Sequence, residues 1–169
     1  MILTRDVILR EIANKRIVID PLLPEQIGPA SIDLHLGDEI RVMEGGPDVI
    51  DVTEEADYRT VTQIRTLNGP YLLKPGETIH GITREHIRLP GDICGWLEGR
   101  SRFARLGLII HVTSSFISPG VNNRQVLEIS NLAGRPLVIH AGTRLCQLIL
   151  QRTEGSAVYQ GRFARQERL

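Results

Sequence analysis

Turn-forming pairs punctuate most of this chain: Gly45-Gly46, Pro75-Gly76, Pro90-Gly91 and Pro119-Gly120, followed by single glycines at Gly134 and Gly142. Glycine supplies positive φ and proline a fixed φ, so each pair closes one extended run and starts the next. Between them lie runs with strand character: Ser31–Leu36, Tyr71–Leu73, Thr78–Thr83, Leu108–Thr113, Val126–Ser130, Leu137–His140 and Arg144–Gln151. Many short strands broken by turns argue against a helical bundle and specify a mainly β sandwich or barrel-like fold. Helical character is confined to Thr4–Asn14 and a single turn at Ser101–Leu106, which Gly107 is placed to end. In the first, Thr4 is a candidate cap, Asp6 suits the first turn, and Val7, Ile8, Ile12 and Ala13 make an apolar stripe. Arg16–Ile19 then reads as a strand, and four prolines and glycines interrupt Asp20–Pro29.

The 169 residues suit one hydrophobic core, so residues 1–169 read as a single domain. Residues 154–169 are polar and have little to bury, which predicts a mobile tail. Twenty basic residues balance twenty acidic ones, which argues against a general nucleic-acid binder needing a basic excess to meet phosphates. Only two of those basic residues, Lys15 and Lys74, are lysines, so almost all the positive charge is guanidinium. Arginine offers a planar donor fork matched to phosphate or carboxylate. Cys94 and Cys146 show no CxxC spacing and the five histidines no HxH or HxxxH pattern, so zinc is not expected. The apolar runs, such as Leu106–Ile110, fall far short of a membrane span, and Met1–Arg10 lacks the apolar stretch of a signal peptide. A soluble, cytoplasmic protein with no membrane partner is the expectation. Motifs for P-loops, dinucleotide folds, zincins, serine hydrolases and zinc deaminases are all missing.

Three constellations carry chemistry. Glu98-Gly99-Arg100-Ser101-Arg102-Phe103-Ala104-Arg105 packs three arginines and a serine beside a glycine, and reads either as an anion-binding turn or as a solvated basic loop. In Gln125-Val126-Leu127-Glu128-Ile129-Ser130, alternation puts Leu127 and Ile129 on one face and Val126, Glu128 and Ser130 on the other. A carboxylate there ordinarily faces water. If a ligand or second subunit covers that face, its pKa is expected to rise and it can shuttle protons. The third stretch, His111-Val112-Thr113 through Pro119-Gly120, runs from strand into turn, and a lone strand histidine is weak evidence by itself.

Together, Gly99-Arg100-Ser101-x-x-Ala104-Arg105-Leu106-Gly107-Leu108, His111-Val112-Thr113, Pro119-Gly120 and Val126-Leu127-Glu128 resemble the dCTP deaminases, relatives of the trimeric dUTP pyrophosphatases. Looser likeness extends through Pro29-Ala30-Ser31-x-Asp33-Leu34, Thr83-x-Glu85, Arg144–Leu148 and Tyr159-Gln160-Gly161. The resemblance implies a distorted jelly-roll, dUTPase-like β-clip with a short N-terminal helix, assembled as a homotrimer with active sites between subunits. It implies hydrolytic deamination of dCTP to dUTP and ammonia, with Mg²⁺ carried by the substrate triphosphate and no zinc or protein metal ligand.

Position by position, the resemblance makes Glu128 the proton-transferring carboxylate. Ser101 and the main-chain carbonyl of Ser114 hold the attacking water, and Arg105 orients Glu128 and the pyrimidine. It gives Arg100, Ser101 and Arg102 to the phosphates, Ser118 to the deoxyribose, Val126 to the substrate, and Tyr159, Arg162 and Gln166 to a tail closing over the nucleotide. The chain departs from the family pattern at Arg102, Ser118, Val121 and Asn123. Ser118 stands where the family has an aspartate that helps the pyrophosphatases activate water, and Thr113-Ser114-Ser115-Phe116 differs from the stretch in bifunctional relatives. Both features predict deamination without diphosphate release. The alternatives are a dUTP pyrophosphatase, a bifunctional enzyme, or a catalytically altered nucleotide-binding member.

Overall fold

The computed structural model describes all residues from Met1 to Leu169. Its elements in chain order are α1 (Arg5–Ala13), β1 (Val18–Asp20), β2 (Ile32–Met43), β3 (Thr62–Thr66), β4 (Tyr71–Leu73), β5 (Thr78–Arg88) and β6 (Ile93–Gly99). Then follow α2 (Ser101–Ala104), β7 (Leu108–Ile109), β8 (Phe116–Ile117), β9 (Asn122–Asn131), β10 (Leu137–Ile139) and β11 (Arg144–Arg152). Nine strands make one curled sheet in the order β7-β9-β5-β2-β11-β6-β8, with β1 added to β5 and β3 to β2. The remaining two, β4 and β10, pair separately. All pairings are antiparallel, so the mainly β expectation holds.

Alternation builds the core. Ile32, Leu34 and Leu36 of β2, Leu127 and Ile129 of β9, and Leu148 and Leu150 of β11 are all fully buried. Each such side chain contributes about 1.5–3 kcal/mol relative to exposure. Helix α1 covers one end of this core with Ile8, assisted by Val7 and Ile12, while Ala13 stays exposed. Its fourth inward position belongs to Glu11, whose carboxylate pairs with Arg16 at 2.7 Å and Arg152 of β11 at 2.5 Å. Thr4 does not cap the helix through its side chain; the hydroxyl donates to Asp6 instead.

Several strands run longer than their periodicity suggests, and irregular register explains why. Strand β5 continues past Thr83 to Arg88 through an irregularity between Ile82 and His86, where Thr83–Glu85 stand against the single residue Gln125 of β9. The Thr83 hydroxyl donates to the Glu85 carbonyl and accepts from the Gln125 N–H, which turns Glu85 inward. There the wholly buried carboxylate accepts from the His35 main chain and the Gln26 amide. A bulge breaks the period of two, so a simple alternating pattern stops short. The stretch Leu108–Thr113 errs the other way: only Leu108–Ile109 pairs as a strand. Gly99 allows this departure, because a Cβ there would lie 2.5 Å from the Ile110 carbonyl oxygen. The turn after α2 ends at Gly107 with φ of +86°, as its glycine requires.

The tail, residues 154–169, lies along the sheet in this structure. Ala157 N–H donates to Gly91 C=O, Tyr159 N–H to Pro119 C=O, and Arg124 N–H to Gln166 C=O, at 2.8–3.0 Å. No helix is long and apolar enough to cross a membrane.

Candidate active site

The outward face of β9 floors a cavity of about 430 Å³, a size suited to a small-molecule ligand. Glu128 and Val126 project into it from β9, His80 from β5, and His111 and Ser114 from the segment after β7. The strap from Tyr159 to Leu169 supplies Tyr159, Phe163 and Gln166 from the other side. Register brings His80 directly opposite Glu128 and Ile82 opposite Val126.

Glu128 is held from one side by a single residue. The Thr113 main-chain N–H donates to Oε2 at 2.6 Å, and the Thr113 hydroxyl approaches both carboxylate oxygens at 2.9 and 3.0 Å. Behind it, the Glu128 N–H donates to Nδ1 of His111 at 2.9 Å. An accepting Nδ1 carries no proton, so the hydrogen of this neutral ring sits on Nε2. Burial pushes His111 below the ordinary histidine value, although Glu128, 3.6 Å from Nδ1, pulls the other way.

Burial also works to raise the Glu128 carboxyl. The Thr113 N–H and hydroxyl outweigh it, helped by His111 and the Ser114 main chain, and the net position lies below the ordinary carboxylate value. Within the chain itself, then, the donors around the carboxylate outweigh its burial. The side chain is 22% exposed, so the carboxylate is neither sealed off nor in open water.

Of the residues the sequence singled out, Glu128, Ser114, Ser118, Val126, Tyr159 and Gln166 meet around this cavity. Ser101, Arg102 and Arg105 do not; they stand exposed on α2 and at its end. Arg105 therefore does not orient Glu128 within one chain, and Thr113 fills that place. Arg100 is committed elsewhere, with its guanidinium 3.0 Å from Asp33 and donating to the Arg144 carbonyl at 2.9 Å. These contacts anchor the arginine turn to β2 and β11. Arg162 lies over the Phe163 ring at 5.8 Å and faces the field of Asp57, outside the cavity lining.

Sequence reading missed Tyr58, His80, Asn123, Arg124 and Phe163, all of which line the cavity. Asn123, noted only as a departure, is buried and donates to the Phe163 carbonyl at 2.7 Å, fastening the strap. The neighbouring Glu167 sits 3.1 Å from His86 and adds a second fastening. No cluster of three His, Cys, Asp or Glu side chains converges anywhere in the fold.

Known structures place this architecture in the dUTPase-like class. A crystal structure of 2'-deoxycytidine 5'-triphosphate deaminase from Agrobacterium tumefaciens superposes with a TM-score of 0.71 at 24% identity. The match covers 90% of this chain and 48% of that one, so the present chain spans about half its length. A point mutant of the staphylococcal bacteriophage 80alpha dUTPase shares the fold at TM-score 0.51 and 15% identity, over 86% of this chain and 96% of that one. The chain belongs to the dCTP deaminase-like family, whose model matches residues 2–153. A relative from Acidothermus cellulolyticus, named "dCTP deaminase, dUMP-forming", is 37% identical over 96% of this chain and 90% of its own.

Proposed function

We propose that this chain hydrolyses the C4 amine of dCTP, with Glu128 as the group that moves protons. The observation that carries the reading is the Glu128 carboxylate itself: ionised, held by Thr113, and facing a nucleotide-sized cavity in a member of this family. Water attacks C4 while Glu128 takes one of its protons and passes it to N3. The tetrahedral centre then collapses as the second proton reaches the leaving amine through the same carboxylate, and ammonia departs. General acid–base transfer of this kind contributes about 10²–10⁴-fold. The Ser114 carbonyl and Ser101 hold the water in this scheme, and Arg105 faces the pyrimidine.

Ser101, Arg102 and Arg105 are exposed in the single chain, which suits donation to a neighbouring copy. We therefore take the working form to be a homotrimer whose sites lie between subunits. Mg²⁺ would enter bound to the substrate triphosphate on this reading. With free nucleotide as its substrate, the enzyme works in the cytoplasm on this reading.

A second reading concerns the product. The dUTP product that Ser118 predicts gains no support from the relatives, several of which are named as dUMP-forming. Their names favour release of pyrophosphate as well as ammonia. Against this, Glu128 is the single acidic side chain lining the cavity, and Ser118 brings no base to the phosphates. The test is incubation with dCTP and Mg²⁺, with ammonia, pyrophosphate and the nucleotide product measured separately. Ammonia with dUTP supports deamination alone; equal ammonia and pyrophosphate with dUMP support the second reading. Release of neither overturns the proposal.

A further inference from the structure

Three neighbouring strands align Arg41 of β2, His80 of β5 and Glu128 of β9 in one row, each directly opposite the next. Directly paired residues share a face of the sheet, so a guanidinium, an imidazole and a carboxylate stand side by side. Arg41 is 6% exposed, and no carboxylate pairs with it. Its Nε has no hydrogen-bond partner, one amino group donates to the Thr62 hydroxyl at 3.1 Å, and the guanidinium carbon lies 5.3 Å from the Tyr58 ring centre. The Thr62 hydroxyl in turn donates to the Tyr58 carbonyl at 2.7 Å, fixing that turn. Tyr58 then meets His80 edge-on, with ring centres 6.2 Å apart at 79°.

His80 is thus braced by carbon and charge, yet nothing in the protein hydrogen-bonds its ring nitrogens. A half-buried imidazole usually spends at least one nitrogen on a protein partner. Here the ring borders the cavity with both uncommitted. We propose that His80 is a substrate-contacting specificity residue, offering one donor and one acceptor to the nucleoside half of the bound nucleotide. This deepens the dCTP reading and rests on it. The nucleoside half is chosen on two grounds: His80 stands beside Glu128, which must work at the pyrimidine, and a neutral ring has no charge to offer phosphates. Burial pushes the ring toward its neutral form; Glu128 pulls against this, while Arg41 and His111 add to the push.

The test compares His80→Leu, which keeps bulk, with His80→Gln, which restores a donor and an acceptor. Calorimetric affinities for dCTP and dCMP are measured alongside kcat, KM and the thermal midpoint. One lost hydrogen bond predicts about tenfold weaker binding for His80→Leu, by the same factor for both nucleotides. The change should fall mainly on KM, and His80→Gln should recover most of it. Affinities within twofold of wild type overturn the proposal. So does a loss confined to dCTP, which would mean a phosphate contact, or an equal loss in both variants with a lowered midpoint, which would mean packing alone. Binding needs no turnover, so a wild-type protein that binds dCTP without releasing ammonia fails the deaminase reading while His80 is still decided. A wild type that binds neither nucleotide overturns both.

Discussion

On β9, Glu128 has Thr113, His111 and His80 around it before any ligand arrives. On α2, Ser101, Arg102 and Arg105 stand in solvent, and only Arg100, locked to Asp33, is fixed. The difference follows from how each is built. A sheet places side chains by register over long distances, so a carboxylate site comes with the fold. A four-residue turn carries its side chains outward and depends on something else to meet them. The surroundings of Glu128 are therefore built within one chain, whereas the arginine turn, on the proposed reading, is offered to a neighbouring copy.

Glu128→Gln should have the greatest consequence. If that carboxylate carries the chemistry, ammonia release should fall by about 10²–10⁴-fold while dCTP affinity stays within about tenfold. Steady-state ammonia assays and calorimetry check both, and unchanged turnover would remove Glu128 from its role. The arginine turn is tested by mixing. Arg105→Ala should be nearly inactive, as should Glu128→Gln, but subunits of the two exchanged together should regain about a quarter of wild-type activity. That fraction follows because a closed ring with sites between copies pairs an intact Glu128 with an intact neighbouring Arg105 at random. No recovery, with exchange verified by mass, would mean that each site is built from one chain.

How far the sequence foretold this arrangement varies with the kind of order involved. Strands bounded by turn residues are legible: Tyr71–Leu73 matches its prediction to the residue, and the inward Leu127 and Ile129 fix Glu128 outward. Strand β6 is not, because Gly95 and Trp96 interrupt its apolar pattern; a Cβ at Gly95 would fall 2.7 Å from Leu148. Thr113 is legible as part of a motif but not as the partner of Glu128, since that contact depends on the chain leaving its strand after Ile109. His80 is invisible for a different reason. Alternation assigns it a face only once β5 is known to pair with β9, and the irregularity at Ile82–His86 hides that register from any local pattern. The strap's tethers are hidden too: polar composition gives no sign that Asn123 and Arg124 hold Phe163 and Gln166.

A milder change at Thr113 alters the surroundings of Glu128 without removing the carboxylate. Thr113→Val deletes the hydroxyl donor but keeps the main-chain N–H at 2.6 Å from Glu128. Turnover at neutral pH should change by no more than about threefold, since the carboxylate stays ionised there. Its pKa should move upward, toward the ordinary value of 4.5, because one of the donors that outweighs burial is gone. The acid limb of kcat/KM should therefore shift to higher pH. Stability moves with the same sign. A carboxyl held below its unfolded value contributes stability above pH 4.5 and loses it as pH falls through the native value. The thermal midpoint of Thr113→Val should thus lie below wild type at pH 7, with the gap closing as the solution is acidified past the wild-type titration. An unmoved acid limb together with a pH-independent gap would show that Thr113 supports the fold but does not set the charge of Glu128.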